Sequence, residues 1–261
     1  MKVVILCGGQ GTRIREVSET VPKPMIYLWG YPILWHIMKY YAHWGHKDFV
    51  LCLGYKGNVI KEFFLNYEAN TCDFTISLGN HRTIEYHSNH LEQNWKVTLA
   101  ETGQNTMTGA RVFRAMHYLE NEENFMLTYG DGVGDIDLEQ LKAFHLSHGK
   151  IMTVTGVRPP GRFGELGYDI HGRVTGFNEK PQAGGGRISG GFFVCRKELF
   201  NYLEASENVV LEQEPMRQLV NDGQMMVYKH NGFWHPMDTP RDYAFLNDLC
   251  NQGKAPWMIW N

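Results

Sequence analysis

The sequence predicts an α/β fold that is built on a mostly parallel sheet. Short apolar segments alternate with amphipathic segments of helical period over the first 157 residues. Segments of this length in this order form right-handed β-α-β units, whose strands run parallel. The apolar fraction, 43% of 261 residues, is large enough for a full core.

The first strands are predicted from continuous apolar runs. Residues 3–7 (VVILC) and 49–54 (FVLCLG) lead into glycine, as is typical of strands that are buried on both faces. Between them, residues 32–44 carry apolar side chains at helical spacing, with proline in the first turn and Gly45 as the stop signal. Residues 56–67 repeat the helical pattern.

The same alternation continues to residue 157. Further strands are predicted near residues 96–100, 125–129 and 151–157, and further helices near residues 110–119 and 137–148. The carboxyl ends of parallel strands meet at one edge of the sheet, which is where ligands of open α/β sheets bind. The loops that follow these strands are therefore the first place to search for a site.

The pattern changes after residue 158. A loop is predicted at 159–167 (PPGRFGELG), with short strands near 174–177 and 189–194 and helices near 198–204 and 212–221. The chain has no internal repeat and no flexible linker. We expect one domain over residues 1–261, divided into a first half of about 1–157, a smaller mixed β lobe of about 158–237 and a C-terminal segment of 238–261.

Composition excludes several classes of protein. A net charge of −3 argues against a nucleic-acid partner, which needs a basic face. No apolar run approaches eighteen residues, so we expect no membrane span, and the start MKVVILCGG does not resemble a signal peptide. Five scattered cysteines without a C-x-x-C motif indicate reduced thiols and a cytoplasmic protein.

A glycine-rich loop follows the first strand. Gly8, Gly9 and Gly11 allow the backbone to approach a ligand closely, as phosphate binding requires. A Walker loop is excluded because Thr12 and Arg13 follow Gly11. A dinucleotide fingerprint lacks its third glycine and the acidic residue after the second strand. A purely structural turn remains an alternative for the glycines alone.

The cations beside this loop carry a more specific signal. GGQGTR (8–13) followed by PKPM (22–25) resembles the signature of the sugar-1-phosphate nucleotidyltransferases, and the resemblance extends over nearly the whole chain. It implies a Rossmann-like sheet of the nucleotidyltransferase (GT-A) type, with a nucleotide-binding first half and a sugar-binding lobe. The stretches most similar to the bacterial members that make CDP-glucose are PILWHIMKYY, GYKGNVIKEFF, TGQNTMTGAR, TYGDGVGD, PPGRFGELG, EKPQ, SGGFFV and GFWHPMDT. Val21 departs from that group, which usually has lysine there.

The reaction that the resemblance implies joins CTP to a hexose 1-phosphate, with α-D-glucose 1-phosphate as the expected sugar. The attacking phosphate oxygen is already an anion, so catalysis should consist of positioning and charge neutralisation. Arg13 would neutralise the β- and γ-phosphates, and Lys23 would bridge the α-phosphate and the incoming phosphate. The nucleotide-binding set is Leu6, Cys7, Gly8, Gly9, Gln10, Gly11, Thr12, Arg13, Lys23, Thr106, Arg111 and Gly130.

Two carboxylates are expected to hold Mg²⁺. Asp131 follows an apolar strand in GDG, and Asp238 lies in HPMDT. Carboxylate oxygens suit Mg²⁺, which proteins commonly hold with one or two carboxylates and substrate phosphates. The resemblance assigns both residues to the metal. An alternative for Asp238 is the cap of a helix over residues 240–249.

Base and sugar contacts are also implied by the resemblance. Thr106 and Arg111 would lie beside the base, where Arg111 can donate to O2 of cytosine; a helix cap with a solvated arginine is the alternative. On the sugar side the expected residues are Glu179, Lys180, Gly190 and Gly191. The alternative for Glu179 and Lys180 is an exposed ion pair of little energetic value.

Other functions stay open at this stage. UTP or dTTP could replace CTP, and a regulatory subunit could bind the sugar nucleotide without turnover. An NAD-dependent oxidoreductase is disfavoured by the incomplete dinucleotide fingerprint. The twelve histidines lack metal-site spacing and are interpreted as surface or core residues. The expected partners are CTP and a sugar 1-phosphate, with no nucleic acid and no membrane, in a homo-oligomer.

Overall fold

The structure is a computed structural model that describes residues 1–11, 14, 21–79, 83–159, 165–168, 170–171, 173–178 and 186–260. Its strands, in chain order, are β1 (Val3–Leu6), β2 (Tyr27–Leu28), β3 (Tyr31–Pro32), β4 (Asp48–Leu53), β5 (Phe74–Ser77), β6 (Thr83–Tyr86), β7 (Lys96–Glu101), β8 (Asn124–Tyr129), β9 (Gly132–Gly134), β10 (Met152–Val157), β11 (Glu165–Tyr168), β12 (Val174–Asn178), β13 (Ile188–Arg196), β14 (Met225–Lys229) and β15 (Trp234–Pro236). The α-helices are α1 (Ile33–His43), α2 (Gly57–Leu65), α3 (Tyr67–Thr71), α4 (Thr108–Arg114), α5 (Leu138–His148), α6 (Glu214–Asn221) and α7 (Pro240–Asn251). Short 3-10 helices cover Lys23–Met25, Met116–Tyr118 and Lys197–Tyr202.

A seven-stranded sheet forms the centre of the molecule, in the order β14-β10-β13-β8-β1-β4-β7. β1 pairs parallel with β4 and β8, β4 with β7, and β10 with β14. Only β13 runs against its two neighbours in this sheet. The predicted mostly parallel α/β sheet is therefore confirmed, and β13 and β14 join the strands of the first half in it.

Side chains alternate across this sheet and fill a core on each face. Val3 and Ile5 of β1 pack with α1 on one side, whereas Val4 and Leu6 pack with α4 on the other. Continuous apolar runs in β1, β4 and β8 are what such a doubly covered sheet requires. This burial fixes the strand ends, and hence the loops that carry the site.

Several predicted boundaries are wrong, for local reasons. The helix expected at 56–67 begins only after Lys56, which has a φ of +51°, and is split at Asn66 between α2 and α3. The segment expected as a helix at 198–204 is instead the 3-10 helix Lys197–Tyr202. The loop expected at 159–167 overlaps β11, which pairs antiparallel with β12.

Small antiparallel pairs were missing from the sequence prediction. These are β2–β3, β5–β6 and β9–β15, each too short to give a periodic signal. The pair β9–β15 matters most, because it joins residues a hundred positions apart beside the end of β8. Among the described residues, no helix is both long and apolar enough to span a membrane.

Candidate active site

A cleft of about 550 Å³ opens at the carboxyl ends of β1 and β8. Its volume suits a small-molecule ligand. The lining residues are Leu6, Gly8, Gly9, Gln10, Gly11, Ile14, Lys23, Pro24, Gln104, Asn105, Thr106, Met107, Thr108, Arg111, Tyr129, Asp131 and Asp238. The structure thus brings ten of the predicted site residues into one cleft.

The glycine loop is fixed at the edge of the sheet by backbone bonds. Cys7 N donates to Cys52 O (3.0 Å), and Gly130 N donates to Leu6 O (3.1 Å). A Cβ on Gly8 would lie 2.2 Å from the Arg111 guanidinium carbon, so only glycine fits there. Gly11 has a φ of +60°, a left-handed conformation that disfavours other residues.

Cys7 and Gly130 lie behind the residues that line the cleft. The Cys7 side chain is fully buried, and burial raises the pKa of its thiol well above the usual value. Neither residue lines the cleft in the described part of the chain. Thr12 and Arg13, the predicted continuation of the loop, lie outside the described residues.

Lys23 projects from a rigid turn into the cleft. Pro22 precedes the 3-10 helix Lys23–Met25, and Met25 N donates to Pro22 O (2.8 Å). The ammonium donates to Asp131 Oδ2 and Asp238 Oδ1, both at 2.5 Å. Burial by itself lowers the pKa of Lys23, but the two carboxylates outweigh burial and raise the pKa overall. Lys23 is therefore a largely buried cation that two carboxylates hold in place.

Asp131 and Asp238 meet because two short strands pair. β15 runs antiparallel to β9 with Pro236 opposite Gly132, and Met237 N donates to Asp131 O (2.8 Å). The residue after Met237 therefore lies beside the end of β8. This ladder accounts for a contact between residues that are far apart in the sequence.

The helix-cap interpretation of Asp238 is wrong. The N-cap of α7 is Thr239, whose hydroxyl accepts from Asp242 N (3.2 Å), while Asp242 Oδ2 accepts from Thr239 N (2.8 Å). This capping box satisfies the first turn without the Asp238 carboxylate. Asp238 is thereby left to contact Lys23.

The carboxylate pair fits a divalent ion. Asp131 and Asp238 each already bind a cation, the Lys23 ammonium, through one oxygen. Within the described part of the chain, no group of three or more His, Cys, Asp or Glu side chains has metal-site geometry. Two carboxylates are nevertheless the usual protein share of a Mg²⁺ site that is completed by phosphates.

Arg111 lies at the opposite end of the cleft, where its guanidinium is hydrogen-bonded to other groups of the protein. Its guanidinium donates to the carbonyls of Leu53 (2.7 Å), Gly103 (2.7 Å), Gly8 (3.2 Å) and Gln104 (3.3 Å), and to Thr102 Oγ1 (2.9 Å). Only 4% of the residue is exposed. Burial lowers the pKa of Arg111, but a guanidinium stays charged at neutral pH. Arg111 therefore joins three loops, and its role toward a base stays a prediction.

Thr106 is held in the same region by a second arginine. Its hydroxyl accepts from Arg114 Nη1 (3.0 Å), which also donates to Thr102 O (2.9 Å). Arg114 Nη2 forms an ion pair with Glu207 (2.8 Å). Arg114 thus joins the segment around Thr106 to the loop that precedes α6, an arrangement that the sequence did not indicate.

Gly190 and Gly191 are covered by neighbouring side chains. A Cβ on Gly190 would lie 2.6 Å from Val157 Cγ1, and one on Gly191 would lie 2.4 Å from Tyr129 Cδ2. Neither position therefore has room for a side chain, and the predicted contact of these two glycines with the sugar stays a prediction. Glu179 and Lys180, the other predicted sugar contacts, lie outside the described residues.

Sequence reasoning missed a bridge across the rim of the cleft. Glu212 accepts from the Tyr129 hydroxyl through one oxygen and from Thr108 Oγ1 (2.6 Å) through the other. Burial and the Glu212 charge raise the pKa of Tyr129. The bridge ties the end of β8 to the start of α4. No local pattern could reveal it, because Glu212 is 83 residues from Tyr129.

Two histidines, His36 and His145, are buried structural residues. His145 lies in the core, where its ring contacts Thr153 Oγ1 (2.8 Å), and His36 contacts Leu28 O (2.9 Å). Burial lowers the pKa of both rings to about 4. These two histidines are neutral at physiological pH and lie outside the cleft.

A cleft that presents a glycine loop and a lysine to phosphates, beside two carboxylates suited to a divalent ion, is the kind of site that transfers nucleotidyl groups. Comparison with known proteins agrees: the nucleotidyl transferase family model matches residues 2–252, and the chain belongs to this family. The chain is 47% identical over 261 residues to glucose-1-phosphate cytidylyltransferase of Salmonella typhimurium, with both chains covered completely. It is 42% identical over 260 residues to a probable glucose-1-phosphate cytidylyltransferase of Bacillus subtilis, again with complete coverage.

Solved structures agree on the fold. The crystal structure of HddC from Yersinia pseudotuberculosis superposes with a TM-score of 0.66 at 24% identity, covering 95% of this chain and 98% of that one. The inositol-1-phosphate CTP transferase from T. maritima superposes with a TM-score of 0.66 at 16% identity, covering 100% of this chain and 98% of that one. At these identities the likeness establishes the architecture alone.

Proposed function

We propose that the chain transfers a cytidylyl group from CTP to α-D-glucose 1-phosphate, producing CDP-glucose and pyrophosphate. The observation that carries this proposal is the convergence of Lys23, Asp131 and Asp238 beside the glycine loop. The choice of CTP and glucose 1-phosphate is supported by full-length similarity of 42–47% to proteins with those names.

In the proposed reaction a phosphate oxygen of the sugar 1-phosphate attacks the α-phosphorus of CTP. A new P–O bond forms, the bond from the α-phosphorus to the oxygen that bridges it to the β-phosphorus breaks, and pyrophosphate leaves with the electron pair. No proton has to be removed from the nucleophile. The barrier comes from bringing two polyanions into line, which positioned cations lower.

The residues of the cleft divide this task. Gly8, Gly9 and Gly11 allow the triphosphate to approach the backbone at the end of β1. Lys23 provides a compact positive charge where the two phosphates meet. Asp131 and Asp238 would hold Mg²⁺, which supplies charge neutralisation of the phosphates. The base would lie along the segment from Gln104 to Thr108, which lines the far end of the cleft.

The test is pyrophosphate release with CTP, UTP, dTTP and GTP against several sugar 1-phosphates, with and without Mg²⁺. We expect the highest kcat/KM for CTP with glucose 1-phosphate, dependence on Mg²⁺, and CDP-glucose as the product by mass spectrometry. A preference for UTP or dTTP would contradict CTP as the substrate and would show that the enzyme is a uridylyl- or thymidylyltransferase. Binding of CDP-glucose without turnover would identify a regulatory subunit.

We also propose that the enzyme is a cytoplasmic homo-oligomer that supplies CDP-sugar for surface polysaccharide. The five cysteines are all free, which suits a reducing compartment. Large apolar side chains are exposed around the β5–β6 hairpin: Leu65, Phe74, Leu78, Ile84 and Leu91. Native mass spectrometry is the direct test, and a single monomer peak at micromolar concentration would contradict the oligomer.

A further inference from the structure

Lys23 and the proposed metal ion compete for the same two carboxylates. The Lys23 ammonium lies 2.5 Å from Asp131 Oδ2 and 2.5 Å from Asp238 Oδ1, and only 11% of the lysine side chain is exposed. Each contact is a charge-assisted hydrogen bond, the stronger kind of hydrogen bond in proteins. An ammonium in this position uses oxygens that a divalent ion would need.

The charge balance makes this arrangement unsuitable for catalysis as it stands. Within the group of Lys23, Asp131 and Asp238, two carboxylates and one ammonium leave one net negative charge beside the loop that is predicted to bind the triphosphate. A divalent ion on the same carboxylates cancels both of their charges. The Lys23 charge is then no longer neutralised by the protein and becomes available to phosphate.

The chemistry of the lysine side chain allows it to move from the two carboxylates to a phosphate. Its flexible stem carries a compact charge, whereas an arginine fork is suited to one fixed geometry. The base of the stem lies against the glycine loop, because a Cβ on Gly11 would lie 3.1 Å from Lys23 Cβ. A released ammonium therefore stays beside the predicted phosphate loop.

We propose that Lys23 is an exchangeable counter-ion: its ammonium holds Asp131 and Asp238 together without metal, and leaves them for the substrate phosphates when a divalent ion binds. The proposal rests on the proposed function, because it takes these carboxylates as the metal site. It makes the lysine both a competitor of the metal and, after exchange, a phosphate ligand. Metal binding and the phosphate-binding role of Lys23 are therefore coupled.

The first test measures Mn²⁺ binding by electron paramagnetic resonance, with no nucleotide present. Lys23→Met removes the competing charge, and Lys23→Arg retains it. We expect Lys23→Met to bind Mn²⁺ about tenfold more tightly than the wild type, since a charge at this separation interacts strongly in a partly buried site. Lys23→Arg should bind no more tightly than the wild type. Equal or weaker binding by Lys23→Met would overturn the exchange.

A second test uses only the wild-type protein, so it is independent of how the variants fold. Lysine acetylation by acetic anhydride is quantified by peptide mass spectrometry with and without saturating Mn²⁺. Release from the carboxylates should increase acetylation of Lys23 at least severalfold. Lys142, which pairs with Glu139 on α5, is the internal control and should be unchanged. No increase at Lys23 would contradict the exchange.

The two proposals fail in different ways. If the wild type makes CDP-glucose with Mg²⁺ but Lys23→Met gains no Mn²⁺ affinity, the exchange is wrong and the function stands. If Lys23→Met gains Mn²⁺ affinity but the wild type makes no nucleotide sugar, the exchange stands as a property of the site and the function is wrong.

Discussion

The two ends of the cleft hold their cations in opposite ways. Arg111 donates to four backbone carbonyls and one hydroxyl, which are neutral groups, so the positive charge is fixed in place but is not cancelled. Lys23 is bound by two carboxylates, which cancel its charge and add one negative charge. One end is thus permanently positive and rigid, whereas the charge of the other depends on what binds there.

This difference separates two tasks within one site. Neutral acceptors surround a cation that shapes the loops, because removing it breaks five hydrogen bonds that join three loops. Charged acceptors surround a cation that can be exchanged, because another cation satisfies them equally well. We therefore expect substitutions at Arg111 to affect folding and nucleotide choice, and substitutions around Lys23 to affect the chemical step.

The largest expected effect is on turnover at the metal end. Asp131→Asn removes one carboxylate charge and should lower kcat by about 10²–10³-fold, the size seen when a preorganised electrostatic group is lost. Steady-state pyrophosphate release measures it, and Asp248→Asn, an exposed aspartate on α7, is the matched control. Near wild-type release of pyrophosphate by Asp131→Asn would contradict the assignment of Asp131 to the reaction centre.

The next effect is on stability at the rigid end. Arg111→Ala removes five hydrogen bonds from a buried guanidinium, those to Gly8, Leu53, Thr102, Gly103 and Gln104, and should lower the free energy of unfolding by about 3 kcal/mol. Urea unfolding measures this change, with the exposed Arg217→Ala as control.

The Arg111→Ala variant should also discriminate CTP from UTP less well than the wild type. If the preference for CTP over UTP is unchanged, Arg111 does not contribute to base recognition and only holds the three loops together.

Acid is expected to lower the free energy of unfolding through two buried histidines that lie outside the cleft. Burial lowers the pKa of His36 and of His145 from 6.5 to about 4, so the unfolded chain takes up these protons at a higher pH than the folded chain. Their contribution to stability is full above pH 6.5 and is lost as the pH falls toward 4, by about 3 kcal/mol for each ring.

Urea unfolding between pH 7 and 4.5 tests this expectation. His145→Gln should flatten the pH dependence, whereas the exposed His117→Gln should leave it as in the wild type. An unfolding free energy that stays constant over this range would show that neither ring is held neutral by burial.

The smallest effect is expected at the bridge between the two ends. Tyr129→Phe removes one hydrogen bond to Glu212 and should lower kcat/KM severalfold, equivalent to about 1 kcal/mol. Tyr202→Phe removes a comparable bond to Asp222 away from the cleft and is the control. If both variants match the wild type, the bridge does not position the two ends.

The sequence predicted the parts of this site that are carried by local patterns. Continuous apolar runs located β1 and β8, and the glycines and Asp131 follow directly from the ends of those strands. Lys23 was recognisable because PKPM (22–25) follows the glycine loop at the spacing of the family signature. Asp238 could be assigned only through family resemblance, since its position depends on the pairing of β9 with β15, which are too short to leave a periodic signal.

Other features depend on packing that a linear pattern does not encode. The direction of the Arg111 side chain is set by carbonyls from three separate loops, and the Tyr129–Glu212 bridge joins residues from distant segments. The closure of space over Gly191 arises from the Tyr129 ring. These are tertiary contacts between residues far apart in the sequence, so no local pattern indicates them.

The most direct test of the central claim is the rate of CDP-glucose formation from CTP and glucose 1-phosphate with Mg²⁺, compared for the wild type, Lys23→Met and Asp238→Asn. Near-ultraviolet circular dichroism confirms that each variant is folded. If Lys23 and the carboxylates form the reaction centre, the wild type makes CDP-glucose and both variants lose at least about 99% of the rate. A folded Lys23→Met variant that kept near wild-type synthesis would contradict the account.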